Sequence, residues 1–130
     1  MLVSALPPQV WTLELAAGSS MNATFTFTTG APGGTTPYSI SGATWEYVVR
    51  ATATTGGTPL IEVTTSVSSA GLITATSTST LSQIVLALYP AATASLAPGA
   101  YSHGLWSNVG TTSQFCWALG SLVITGAPQP

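Results

Sequence analysis

The sequence contains no lysine and no aspartate, and only 3 % of its 130 residues are charged. Arg50 is the single strong base, and Glu14, Glu46 and Glu62 are the only acids. A soluble domain ordinarily carries about 25 % charged residues. One arginine cannot neutralise the several phosphates that a nucleic-acid binder must engage. Polybasic attachment to an anionic membrane fails for the same reason. Paired-carboxylate hydrolysis and oxygen-rich calcium or magnesium sites lack raw material. Cysteine is scarce too: Cys116 stands alone, so no internal disulfide forms and the fold does not depend on an oxidising compartment. No apolar run approaches the ~20 residues of a membrane-spanning helix. Met1 to Pro8 has no basic leader region and stops at Pro7-Pro8, which argues against a secretory signal and for synthesis in the cytoplasm.

Serine, threonine, glycine and alanine dominate what is present. No stretch carries an apolar stripe at helical spacing over three turns, but several alternate strictly, the mark of strands with one buried face. Trp11, Leu13 and Leu15 form one such face, as do Ala23, Phe25 and Phe27, and Trp45, Tyr47 and Val49. Ile84, Leu86 and Leu88 follow, then Tyr101, His103 and Leu105, then Leu122 and Ile124. Turn signals separate them: Ala31-Pro32-Gly33-Gly34 with Pro37, Thr55-Gly56-Gly57-Thr58-Pro59, and Asn108-Val109-Gly110. Ala70-Gly71 reads as a hairpin turn between Leu60–Val67 and Leu72–Thr76, and Ala91–Leu96 as the one helical turn, on a longer crossing. The pattern predicts a single all-β domain, an antiparallel sandwich of about seven to nine strands over residues 9–125. Residues 1–8 form an extended N-terminal arm in this reading, and 126–130 a C-terminal tail.

Leu96-Ala97-Pro98-Gly99-Ala100-Tyr101 places a tyrosine just after a Pro-Gly turn at the start of a late strand. This resembles the tyrosine corner of immunoglobulin-like folds, in which the phenol bonds back across the crossing. His103 stands where antibody domains place a cysteine.

Three stretches resemble the small β-sandwich domains of tailed-phage virions, of the kind at the N-terminus of baseplate upper proteins. They are Leu15 through Thr28, with its Gly-Ser turn and Phe25-Thr26-Phe27-Thr28; Ser41 through Arg50, a Gly-Ala-Thr approach to a strand ending in arginine; and Leu96 through Tyr101 with the closing strand Leu119 through Ile124. Together they span roughly residues 9–125 in order. The turns and outer strand faces lack the charges that dot them in that family. The resemblance implies a structural virion protein with no catalytic residues to carry over.

His103 and Cys116 are the only candidates for soft metal ligands or a nucleophile and its base. Zinc needs three or four ligands, so no metal or cofactor is expected, and Cys116 reads as a small hydrophobe beside Trp117. The glycine-rich loop at Gly30–Gly34 lacks the Lys and Ser/Thr of a phosphate cradle. Asn22-Ala23-Thr24 matches a glycosylation sequon by chance in a chain without a secretory leader.

Trp106 points away from the face of Tyr101, His103 and Leu105, between small residues, and suits a protein contact better than a sugar platform. Arg50, four residues from Glu46 on one strand, is the second interface candidate, and Pro7 and Pro8 of the arm are the others. An almost uncharged sandwich associates, and short arms can add to a neighbour's sheet. The expectation is a non-enzymatic virion protein of tail, baseplate or head–tail region, a symmetric homo-oligomer partnered by other virion proteins. The alternatives are a capsid decoration protein on the phage head and a carbohydrate-binding module used in host adsorption.

Overall fold

The computed structural model describes residues 9–28, 36–52 and 58–126. The loops around Ala31–Gly34 and Thr55–Gly57, the arm with Pro7 and Pro8, and residues 127–130 of the tail lie outside the described residues.

Among the described residues nine strands and one short helix follow in order: β1 (Gln9–Val10), β2 (Leu13–Ala16), β3 (Met21–Thr26), β4 (Trp45–Arg50), β5 (Ile61–Thr64), β6 (Gly71–Ser77), β7 (Ser82–Leu88), α1 (Pro90–Ala94), β8 (Gly99–Ser107) and β9 (Phe115–Thr125). They build two sheets. The larger runs β1-β9-β8-β4-β5, with β2 also on β9, and the smaller runs β3-β7-β6. This is the strand order of an immunoglobulin-like sandwich, with a B-E-D sheet facing a G-F-C-C′ sheet.

Alternation explains which side each strand buries. In β7, Ser82, Ile84, Leu86 and Leu88 are buried while Gln83, Val85 and Ala87 stay partly open. Tyr47, Val49, Val63, Leu105 and Leu122 come inward from the larger sheet and are fully buried against Ile73, Ile84 and Leu86. Pro90 occupies the first turn of α1, where its missing N–H costs nothing, and Ala92 and Thr93 tuck under the sandwich. The Thr93 hydroxyl donates to the Ser19 carbonyl at 2.7 Å, fixing this crossing to the turn before β3.

Two expectations from the sequence need correction. The sandwich is not purely antiparallel: β1 and β2 pair parallel with β9, at Gln9↔Ala118 and Leu13↔Leu122. β1 and β2 come first and β9 last among the described strands, so no hairpin sets their direction. The second concerns Ala70-Gly71, which is not the turn of a hairpin. β5 pairs with β4 while β6 pairs with β7, so residues 65–70 carry the chain from one sheet to the other. Alternating patterns look the same whether the next strand is a neighbour or lies across the core.

Candidate interaction site

The centre of the sandwich is pinned by an uncharged polar cluster. His103 on β8 is 2 % exposed. Its Nε2 lies 2.6 Å from the Trp11 carbonyl oxygen and its Nδ1 lies 2.9 Å from the Tyr47 hydroxyl. A carbonyl only accepts, so Nε2 carries the proton and Nδ1 accepts from Tyr47. Burial holds the imidazole below its usual range, against the bond to Trp11, and pushes the Tyr47 phenol up. The Trp11 ring stacks on His103 at 4.2 Å and meets Phe25 of the other sheet edge-on at 5.1 Å. A Phe25–Trp11–His103–Tyr47 chain therefore crosses the core at the strand position where antibody domains place a disulfide cysteine.

Gly120 makes this possible. A Cβ there would lie 2.2 Å from the Trp11 carbonyl oxygen. The bare backbone lets the chain between β1 and β2 drop inward and deliver that carbonyl to His103, which faces Gly120 across the β8–β9 ladder.

The other sequence candidates fall in separate places. Tyr101 donates its hydroxyl to the Ala97 carbonyl, four residues upstream, at 2.6 Å, the geometry of a tyrosine corner. Trp106 lies on the outer face of the larger sheet, opposite Glu46 and Cys116. It is half-buried rather than freely exposed: a Cβ on Gly104 would come within 2.9 Å of its indole Nε1, so the ring lies along the sheet over Gly104. Arg50 shares that face with Glu46, and Glu62 lies opposite Val48 between them. Burial raises the Glu46 carboxyl, Glu62 adds to this and Arg50 opposes it. Cys116 is half-buried on the outer face, its thiol pushed up by burial, while His103 points into the core. The two sit on opposite faces of the sheet and form no dyad. Among the described residues no group of three or more His, Cys, Asp or Glu could hold a metal ion, and no helix is long and apolar enough to cross a membrane.

No sequence pattern marks the groove beside β3. About 590 Å³ opens between the two sheets where β1 faces β3, lined by Gln9, Trp11, Tyr38, Trp117 and the stretch from Ala23 to Thr28, which brings Phe25 and Phe27. Its aromatic faces are largely engaged already. Trp117 meets Phe27 and Phe115 edge-on, each at 4.8 Å, and its indole N–H donates to the Ser107 hydroxyl at 2.8 Å. A β-bulge opposite Leu105 and Trp106 turns Trp117 inward, which strict alternation would not place there. No local sequence signal announces that bulge.

The three-stranded sheet has a second property. β3, β7 and β6 contain no charged residue, and all four charged side chains of the chain lie on strands of the larger sheet. Its outer face presents Asn22, Thr24, Thr26, Gln83, Val85, Ala87, Leu72, Thr74 and Thr76.

No protein-family model matches the sequence, and no curated protein matches it. Among solved structures, a VGSC β subunit described for multimeric cell-adhesive interactions aligns over 92 % of this chain and 93 % of its own, with 10 % identity and a TM-score of 0.46. A family 123 glycoside hydrolase from Clostridium perfringens aligns over 96 % of this chain but only 24 % of its own, with 10 % identity and a TM-score of 0.41. Likenesses this distant extend no function to this chain.

Proposed function

We propose that this chain is a non-enzymatic structural subunit of a tailed-phage virion, of the tail, baseplate or head–tail region, which docks against copies of itself and other virion proteins. The observation that carries the reading is the uncharged three-stranded sheet, whose outer strands β3 and β6 each pair with β7 alone among the described residues. A free sandwich guards such edges with lysine, proline or bulges. β3 and β6 carry no lysine, no proline and no acid, and their outer face is threonine and small apolar side chains. Surfaces of this kind pair by backbone hydrogen bonds and close packing, which suits a subunit covered by its neighbours. The resemblance of Leu15–Thr28, Ser41–Arg50 and Leu96–Ile124 to virion β-sandwich domains supports the setting.

A carbohydrate-binding module in host adsorption is the second reading, favoured by the aromatic lining of the groove. Against it, the Trp11 face is stacked on His103 and Trp117 is packed by Phe27 and Phe115, so neither offers a free platform.

Mass spectrometry and labelling of purified particles from the encoding phage test the proposal. The expected result is this chain at a fixed copy number in a ring at the tail or neck. Density on the capsid lattice would make it a decoration protein, and absence from the particle would overturn the structural role. A glycan array bound in a Trp11-dependent manner by a monomeric chain would favour the second reading.

A further inference from the structure

We propose that the open edge of β3, with the groove beside it, is the acceptor for residues 1–6 of a second copy of this chain, which join it as an added strand. The proposal deepens the assembly reading and rests on it.

Among the described residues β3 has one strand partner, β7. The Phe27 N–H donates to the Ser82 carbonyl at 2.9 Å, on the β7 side. Backbone groups alternate sides along a strand, so the N–H and C=O groups of Asn22, Thr24 and Thr26 point to the open edge. The far end of the strand is closed by Pro37 and Tyr38, through the Thr28↔Pro37 bridge and the Tyr38 N–H on the Phe27 carbonyl. What remains open is six residues long, and about 20 Å of extended chain would fill it.

The segment Met1-Leu2-Val3-Ser4-Ala5-Leu6 is uncharged, and is apolar except for Ser4. It satisfies what the site asks for: backbone donors and acceptors for the edge, and apolar side chains for a groove lined by Trp11, Phe25 and Phe27. Pro7 and Pro8 have no N–H to give, and the ladder with β9 begins directly after them at Gln9.

The donor belongs to another copy because of chain direction. β2 leads through the turn at residues 17–20 into β3, and Trp11 lies against Phe25. Followed backward from Trp11, the described chain therefore reaches Gln9 on the Phe27 side of Phe25, running antiparallel to β3. A donor from the same chain would have to reverse that direction within the residues before Gln9 to lie along β3 as far as Asn22, and a second copy needs no such reversal.

The strands of the described residues all lie within residues 9–125, so a chain lacking residues 1–6 keeps each of them. The test compares that truncated chain with the full one by analytical ultracentrifugation, then titrates it with a synthetic peptide of residues 1–8 and follows backbone amides by NMR. The expected results are an oligomer for the full chain, a monomer for the truncated one, and saturable peptide binding with amide shifts centred on Asn22–Thr26. Thr24→Pro removes one edge donor and should abolish both peptide binding and assembly; Thr26→Lys, with its circular dichroism unchanged, serves if the proline variant does not fold. A truncated chain that keeps the full oligomer mass would overturn the proposal and leave the assembly reading standing. Peptide shifts away from β3 would overturn it as well. A full chain that is monomeric at every concentration would sink the assembly reading itself.

Discussion

His103 shows how one residue takes over a structural task from a cross-link. Its neutral ring accepts from Tyr47 and donates to the Trp11 carbonyl, so neither nitrogen is left without a partner in the core. Because burial lowers its pKa, the unfolded chain binds the proton more readily, starting from the ordinary value of 6.5. The stability it contributes is full above that value and falls as pH drops through 6.5 toward the lowered folded value. Urea unfolding across that range should show the slope, and His103→Gln should remove it, since the chain has one histidine. Tyr47→Phe strips the donor from a buried acceptor and should cost about 1–3 kcal/mol by the same measurement. From sequence His103 was a residue without a cysteine partner. Its real partners, residues 92 and 56 positions away, are set by the tertiary fold, and no local motif encodes them.

At the scale of elements, periodicity was a sufficient guide to most strands and an insufficient one to their pairing. The faces of Trp45-Tyr47-Val49 and Ile84-Leu86-Leu88 were legible because alternation follows directly from the pleat. The parallel docking of β1 and β2, the crossing at Ala70-Gly71 and the bulge that turns Trp117 inward were not, because each depends on which strand lies alongside. The groove lined by Trp11 and Trp117 escaped notice for the same reason. Gly120 is the element-scale hinge of the arrangement, and Gly120→Ala tests it. The added methyl collides with the Trp11 backbone. The variant should lose about 1–3 kcal/mol, and hydrogen exchange should show β1 and β2 losing protection while the β3-β7-β6 sheet keeps its own.

For the whole molecule, the scarcity of charge is a matter of distribution as well as amount. The larger sheet holds Glu14, Glu46, Arg50 and Glu62, and the smaller sheet holds none. Association through that smaller sheet would draw on backbone hydrogen bonds and packing rather than ion pairs, so salt should not dissolve it. Raising ionic strength from 0.01 M to 1 M shortens the Debye length from about 30 Å to about 3 Å, and the oligomer mass should be unchanged across it. A mass that falls with salt would point instead to the Glu46–Arg50–Glu62 face. The most direct test of the central claim, that the uncharged sheet is built to be covered, is the mass of the full chain in solution by sedimentation equilibrium. The account predicts a defined multiple of 13.1 kDa, insensitive to salt and lost on Thr24→Lys. A monodisperse monomer at every concentration would contradict it.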